Sequence, residues 1–126
     1  MGKTSILVVE DDETIAGLVG FLLRREGYEA VVLRDGRAAE AHVATADPPS
    51  AVVLDVMLPY SDGFAVAAAI RAQPRWKGVP IVLLTARSRE ADVERGRSLG
   101  VVAHLVKPFQ PRALLDVVKG LLGGGP

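Results

Sequence analysis

The 126-residue chain has no cysteine, which excludes disulfides and thiolate metal sites. It has no net charge either: fifteen Lys and Arg balance fifteen Asp and Glu. Nothing in that balance points to a polyanion or an anionic membrane surface as partner. No apolar run approaches the roughly 18 residues of a membrane span. The amphipathic pattern begins within a few residues of Met1, so no signal peptide and a cytoplasmic location are expected. Internal repeats and low-complexity segments are also missing.

What the chain does have is an ordinary globular composition, 49% hydrophobic and 24% charged, enough for one core and one domain. Short apolar runs rich in β-branched residues alternate with helical patterns. Ser5 to Val9 reads as a strand buried on both faces. Asp12 can cap a helix from about Glu13 to Glu26, in which Ile15, Leu18, Val19 and Leu22 share a face and Gly27 ends the pattern. Glu29 to Leu33 is a second strand, and Asp35-Gly36 leads into a helix to about Thr45. Pro48-Pro49 stop that helix. Ala51 to Leu54 is a third strand, and Ser61 or Asp62 can cap a helix to about Gln73. Pro80 opens a fourth strand ending at Leu84 or Thr85. A charged helix with a poor apolar stripe is expected over Ser88 to Leu99. Val101 to Val106 is a fifth strand, and Pro111 sits in the first turn of a last helix. Five strands alternating with five helices predict an α/β fold: a doubly wound, five-stranded parallel sheet.

In such a sheet, ligands bind outside the carboxyl ends of the strands. Here four runs deliver polar groups to that edge: Glu10-Asp11-Asp12, Asp55, Thr85 and Lys107. Asp12 is accounted for as a helix cap. Glu10, Asp11 and Asp55 are not, because carboxylates crowded at one edge repel one another unless a cation is present. With oxygen donors and neither His nor Cys nearby, Mg²⁺ fits, with Mn²⁺ as the alternative, better than Zn²⁺. Asp55 alone reads as a strand-end turn residue. In this company it is also a candidate nucleophile that could form an aspartyl-phosphate. Phosphoryl transfer needs position and charge stabilisation above all, and the Thr85 hydroxyl and the Lys107 ammonium can supply donors.

These residues resemble the receiver domain of two-component response regulators. Glu10-Asp11 matches its acidic pair, Asp55 its phosphoacceptor, Thr85-Ala86 its hydroxyl step and Lys107-Pro108-Phe109 its Lys-Pro motif. Asp55-Val56-Met57-Leu58-Pro59, followed by Asp62-Gly63, resembles its phosphorylation loop. The resemblance runs from about Thr4 to Leu122. It implies a flavodoxin-like (βα)5 fold with strand order 2-1-3-4-5, residues 1–122 forming the phosphoacceptor domain and 123–126 a flexible tail or the start of a linker. It further implies Mg²⁺ held by Asp11, Asp55 and the main-chain carbonyl of Met57, with Glu10 acting through water. A sensor histidine kinase or histidine phosphotransfer protein would supply the phosphoryl group, and Thr85 and Lys107 would bind its oxygens. Thr85 and residue 104 would form the switch, remodelling the face of helix 4, strand 5 and helix 5 for a downstream protein or a fused output domain. That face also allows a homodimer. Direct nucleic-acid or membrane binding is not implied, and neither is enzymatic turnover beyond slow self-catalysed phosphorylation and dephosphorylation.

The pattern departs from the family at residue 104, where His replaces the usual Tyr or Phe. The plain expectation is a partly buried, hydrogen-bonded strand histidine; as a switch it would couple output weakly or with pH dependence. Val102 and Ala103 replace acids, making strand 5 more apolar. Met57 and Arg87 occupy the positions that modulate phosphoryl lifetime in the family, and Arg87 is expected to shield the phosphoryl group. Three other functions compete. An aspartate-nucleophile phosphatase usually needs a second acid two residues after the nucleophile, where Met57 stands. A flavin module needs a phosphate-cradling loop, whereas the first loop is acidic. A degenerate, phosphorylation-independent interaction domain sits poorly with the intact acidic set.

Overall fold

The computed structural model describes residues 4–60, 62–86 and 90–122, with the side chains of 90 and 91 excepted. The elements run β1 (Ser5–Val9), α1 (Glu13–Arg25), β2 (Glu29–Leu33), α2 (Gly36–Thr45), β3 (Ala51–Asp55), α3 (Gly63–Ala72), β4 (Ile81–Thr85), α4 (Glu90–Arg97), β5 (Val101–Val106) and α5 (Pro111–Leu121). All strand pairs are parallel, and the order across the sheet is β2-β1-β3-β4-β5. The predicted architecture and order are those observed.

Strand alternation explains why the runs look continuously apolar. Leu7, Val9, Val52, Leu54, Ile81 and Leu83 point to one face and pack with Val43, Phe64, Ile70 and Trp76. Ile6, Val8, Val53, Val82 and Leu84 point to the other and meet Val19, Leu23, Leu114 and Val118. The three central strands, β1, β3 and β4, are therefore buried on both faces, the pattern of a sheet covered on both sides. The helix signals hold as well. Asp12, Asp35 and Asp62 accept hydrogen bonds from the main-chain N–H groups of Ile15, Ala38 and Ala65. Gly27 takes a φ of +93° just beyond α1, where an L side chain would be strained.

Some boundaries differ. β3 extends to Asp55 itself, so the aspartate is the last strand residue rather than the first loop residue. The stretch between α3 and β4 contains a 3₁₀ turn, Pro74–Trp76, that sequence reading leaves unassigned. Its Trp76 is fully buried and its indole N–H donates to the carbonyl of Ala46, 3.1 Å away. A single aromatic among polar neighbours has no periodicity to betray it. α4 is found at Glu90–Arg97, inside the predicted span of 88 to 99; Ser88 and Arg87 lie outside the described residues, as does Ser61. Val102 is the extra residue of a register shift between β4 and β5 and is 58% exposed, whereas Val101 joins the core.

Candidate functional site

The sheet register brings the predicted residues to one edge. Val9 lies opposite Leu54, and Asp55 lies opposite Leu84, so Glu10, Asp55 and Thr85 end three adjacent strands. Lys107 follows β5, and its N–H donates to the carbonyl of Thr85, 2.7 Å away. The peptide between Lys107 and Pro108 is cis.

Carboxylate oxygens of Glu10, Asp11 and Asp55 lie within 4.8 Å of one another. Glu10 is fully buried, Asp55 is 3% exposed, and Asp11 is open to solvent. The Lys107 ammonium sits 2.8 Å from Oε1 of Glu10 and 3.3 Å from Oδ1 of Asp55. The other Glu10 oxygen accepts from the N–H of Asp12 at 3.1 Å, and Oδ1 of Asp55 accepts from the N–H of Met57 at 3.3 Å. Asp12 is thus the cap and stands outside the carboxylate triad.

The electrostatics follow from this packing. Burial, then the neighbouring Glu10 carboxylate, push the Asp55 carboxyl up to about 7, against the opposing pull of Lys107. Burial alone would lower the Lys107 ammonium, but Glu10 and Asp55 outweigh it and hold Lys107 above its ordinary range. One ammonium cannot neutralise three carboxylates. The two charges left over match a divalent cation, and an all-oxygen donor set suits a hard one.

Gly63 walls the site from below. A Cβ there would lie 2.4 Å from the Asp55 carbonyl oxygen, and its N–H donates to the carbonyl of Val56 at 2.8 Å. The start of α3 is therefore pressed onto the backbone of the aspartate, a closeness that only glycine permits.

The chain matches the response regulator receiver domain over residues 6–119. It belongs to that family. The sensory transduction protein RegX3 of Mycobacterium tuberculosis is 40% identical over 122 residues, 97% of this chain and 52% of the relative. The chain therefore spans about half the length of the curated relatives it matches. The Vibrio cholerae chemotaxis protein CheY4 superposes with a TM-score of 0.89 at 32% identity, covering 96% of this chain and all of the other. The receiver domain of a Pseudomonas aeruginosa sensor histidine kinase does so at 0.86 and 30% identity, covering 97% and 99%. That neighbour was solved with a magnesium ion coordinated in its active-site cleft.

Within this receiver domain, His104 corrects one expectation. It is half-buried, as predicted, but its Nε2 is buried with no hydrogen-bond partner among the described residues. Burial lowers its imidazole below the ordinary range, with Asp92 of α4 pulling the other way. Its neighbour in β4 is Leu83, two residues before Thr85, so strand pairing offers it no polar partner. The Met57 side chain projects into solvent, 74% exposed. Arg87 falls outside the described residues. Among the described residues, no helix is long and apolar enough to cross a membrane.

One contributor, Arg34, escaped the sequence reading, and the close approach at Gly63 was not read from it. Gly63 was legible only as part of a motif. Arg34, directly after β2, reaches the edge as Glu10 does after β1, and its guanidinium donates to the carbonyl of Asp11 at 2.6 Å. The rule that found four polar strand ends would have found this fifth one.

Proposed function

We propose that this receiver domain accepts a phosphoryl group on Asp55 and so relays a signal. The observation that carries the reading is Asp55 itself: a buried strand-end carboxylate within reach of Glu10, Asp11 and Lys107. Asp11, Asp55 and the main-chain carbonyl of Met57 would hold Mg²⁺, with Glu10 acting through water and Mn²⁺ able to replace it. When bound, the ion supplies charge neutralisation for the carboxylates and for the phosphoryl oxygens.

The donor is a phosphohistidine of a sensor kinase or of a phosphotransfer protein. A carboxylate oxygen of Asp55 attacks phosphorus, the P–N bond breaks, and the imidazole leaves with its electron pair and takes up a proton. Positioning and charge stabilisation do most of the work in such transfers. Lys107 brings a mobile point charge to the transferred oxygens, and Thr85 its hydroxyl. Thr85 and His104 would then couple the site to the α4-β5-α5 face, where a downstream protein, a fused output domain or a second copy would bind. Met57 and Arg87 would set the lifetime, water returning the group as inorganic phosphate.

Acetyl phosphate with Mg²⁺ tests the reading. Intact mass should rise by about 80 Da, the mass of one phosphoryl group, and Asp55→Asn should abolish the gain. An unchanged wild-type mass would leave a phosphorylation-independent interaction domain as the better account.

A further inference from the structure

We infer that the turn between β2 and α2 splints the acidic site, with Arg34 as its positioning residue. The inference rests on the cation-binding reading above and extends it to a residue outside the ligand set. Leu33 pairs with Val9, and its carbonyl accepts from the N–H of Glu10 at 3.0 Å, so Arg34 emerges beside the acidic loop. Its guanidinium then closes on the main-chain carbonyl of Asp11 at 2.6 Å, a short charge-assisted bond. Two residues on, the N–H of Gly36 donates to the carbonyl of Pro59 at 3.1 Å. The guanidinium of Arg37 lies 4.5 Å from the centre of the Tyr60 ring, close enough for a cation–π contact. One turn thus grips both loops that carry the proposed ligands, residues 10–12 and 56–60.

Asp11 is the member of the triad that most needs such support. Glu10 and Asp55 are buried and walled by neighbouring strands, whereas Asp11 is exposed. An exposed ligand must be ordered when it binds, and fixing its main chain beforehand lowers that entropic cost. The charge of Arg34 acts in the opposite direction, since a guanidinium near a cation site repels the cation. Positioning and repulsion therefore predict opposite signs for the same substitution.

Mn²⁺ binding, followed by the loss of the free-ion EPR signal, separates them without any phosphorylation step. Arg34→Ala should weaken Mn²⁺ binding about threefold to tenfold, the worth of one modest hydrogen bond. The melting temperature in EDTA should move by no more than about 2 °C, because the bond is solvent-exposed. Arg37→Ala, acting through Tyr60 at the other end of the turn, should also weaken Mn²⁺ binding, and reports even if Arg34→Ala fails to fold. Unchanged or tighter binding in Arg34→Ala, with wild type binding normally, overturns the positioning role alone. A wild type that binds no Mn²⁺ overturns the cation reading and this inference with it.

Discussion

Replacing Asp55 by Asn should stabilise the metal-free domain, and the gain should depend on pH. The Asp55 carboxyl is raised from 3.8 to about 7 by burial and by Glu10. A raised acid binds its proton more tightly in the folded state than in the unfolded chain. The contribution of Asp55 to stability is therefore greatest below about pH 4, declines as pH climbs toward 7, and stays low above it. At about 1.4 kcal/mol per pKa unit, the full loss is at most about 4 to 5 kcal/mol. Asn removes the charge, can still accept from the N–H of Met57, and leaves Lys107 its closer partner, Glu10 at 2.8 Å. Allowing for the lost contact between Lys107 and Asp55, a net gain of about 2 kcal/mol is expected at pH 8, or roughly 5 to 10 °C in melting temperature. By the same linkage the charge-related part of the gain should shrink to under half at pH 5. Thermal unfolding followed by circular dichroism in EDTA at the two pH values measures both. An Asn variant no more stable than wild type at pH 8, or a gain that does not shrink at pH 5, would refute the argument from charge crowding.

Gly63→Ala should cost about 1 to 3 kcal/mol, the usual range for overpacking, because its Cβ would fall 2.4 Å from the Asp55 carbonyl oxygen; chemical denaturation with no change in midpoint would contradict that closeness. Lys107→Ala leaves Glu10 buried beside Asp55 without its ammonium. A loss of about 3 kcal/mol is expected at pH 8 in EDTA, smaller at pH 5, and equal losses at both would show that packing rather than charge is at stake. His104→Phe removes a buried nitrogen that has no partner among the described residues and should add about 1 kcal/mol at pH 8. Because burial lowers the imidazole, wild type should lose stability to the unfolded chain as pH falls through about 6.5, which the Phe variant would not. Matching pH profiles for the two proteins would remove His104 from the account.

How much of this was readable in the chain depends on how local the signal is. The strands announce themselves because a sheet covered on both faces demands apolar side chains at every position, as in Ile6 to Val9. The helix starts are equally local: Asp12, Asp35 and Asp62 each bond an N–H three residues on. The site was legible because four polar residues interrupt apolar runs at the same end. What stayed hidden depends on partners distant in sequence. Trp76 packs into a core built from many elements, and its indole N–H finds the carbonyl of Ala46 thirty residues away. That Nε2 of His104 has no partner among the described residues depends on what packs around it, which the residue type cannot disclose. Arg34 was passed over because a lone surface arginine is ordinarily solvated, and its contact with Asp11 spans 23 positions.

The rigidity around Asp55 decides where the repulsion of the triad goes. A carboxylate on a loop would swing away from Glu10 and keep its ordinary acidity. Asp55 has no such exit. Its strand is paired on both sides, with β1 and β4, and the tip of α3 presses on its carbonyl through Gly63. The side chain is held by the N–H of Met57 and by Lys107. Burial raises the carboxyl first, and repulsion that cannot be relieved by movement adds to it, so that Asp55 holds its proton tightly. It follows that loosening the wall should acidify Asp55 even though the wall residue carries no charge. Gly63→Ala, by displacing the Asp55 backbone away from Glu10, should lower its carboxyl below 7 while burial still holds it above the ordinary range, as read by carbon-13 NMR titration of the Asp carboxyl groups. A Gly63→Ala domain that is folded, displaced and still titrates near 7 would mean that burial, rather than the approach of Glu10, holds the proton on Asp55.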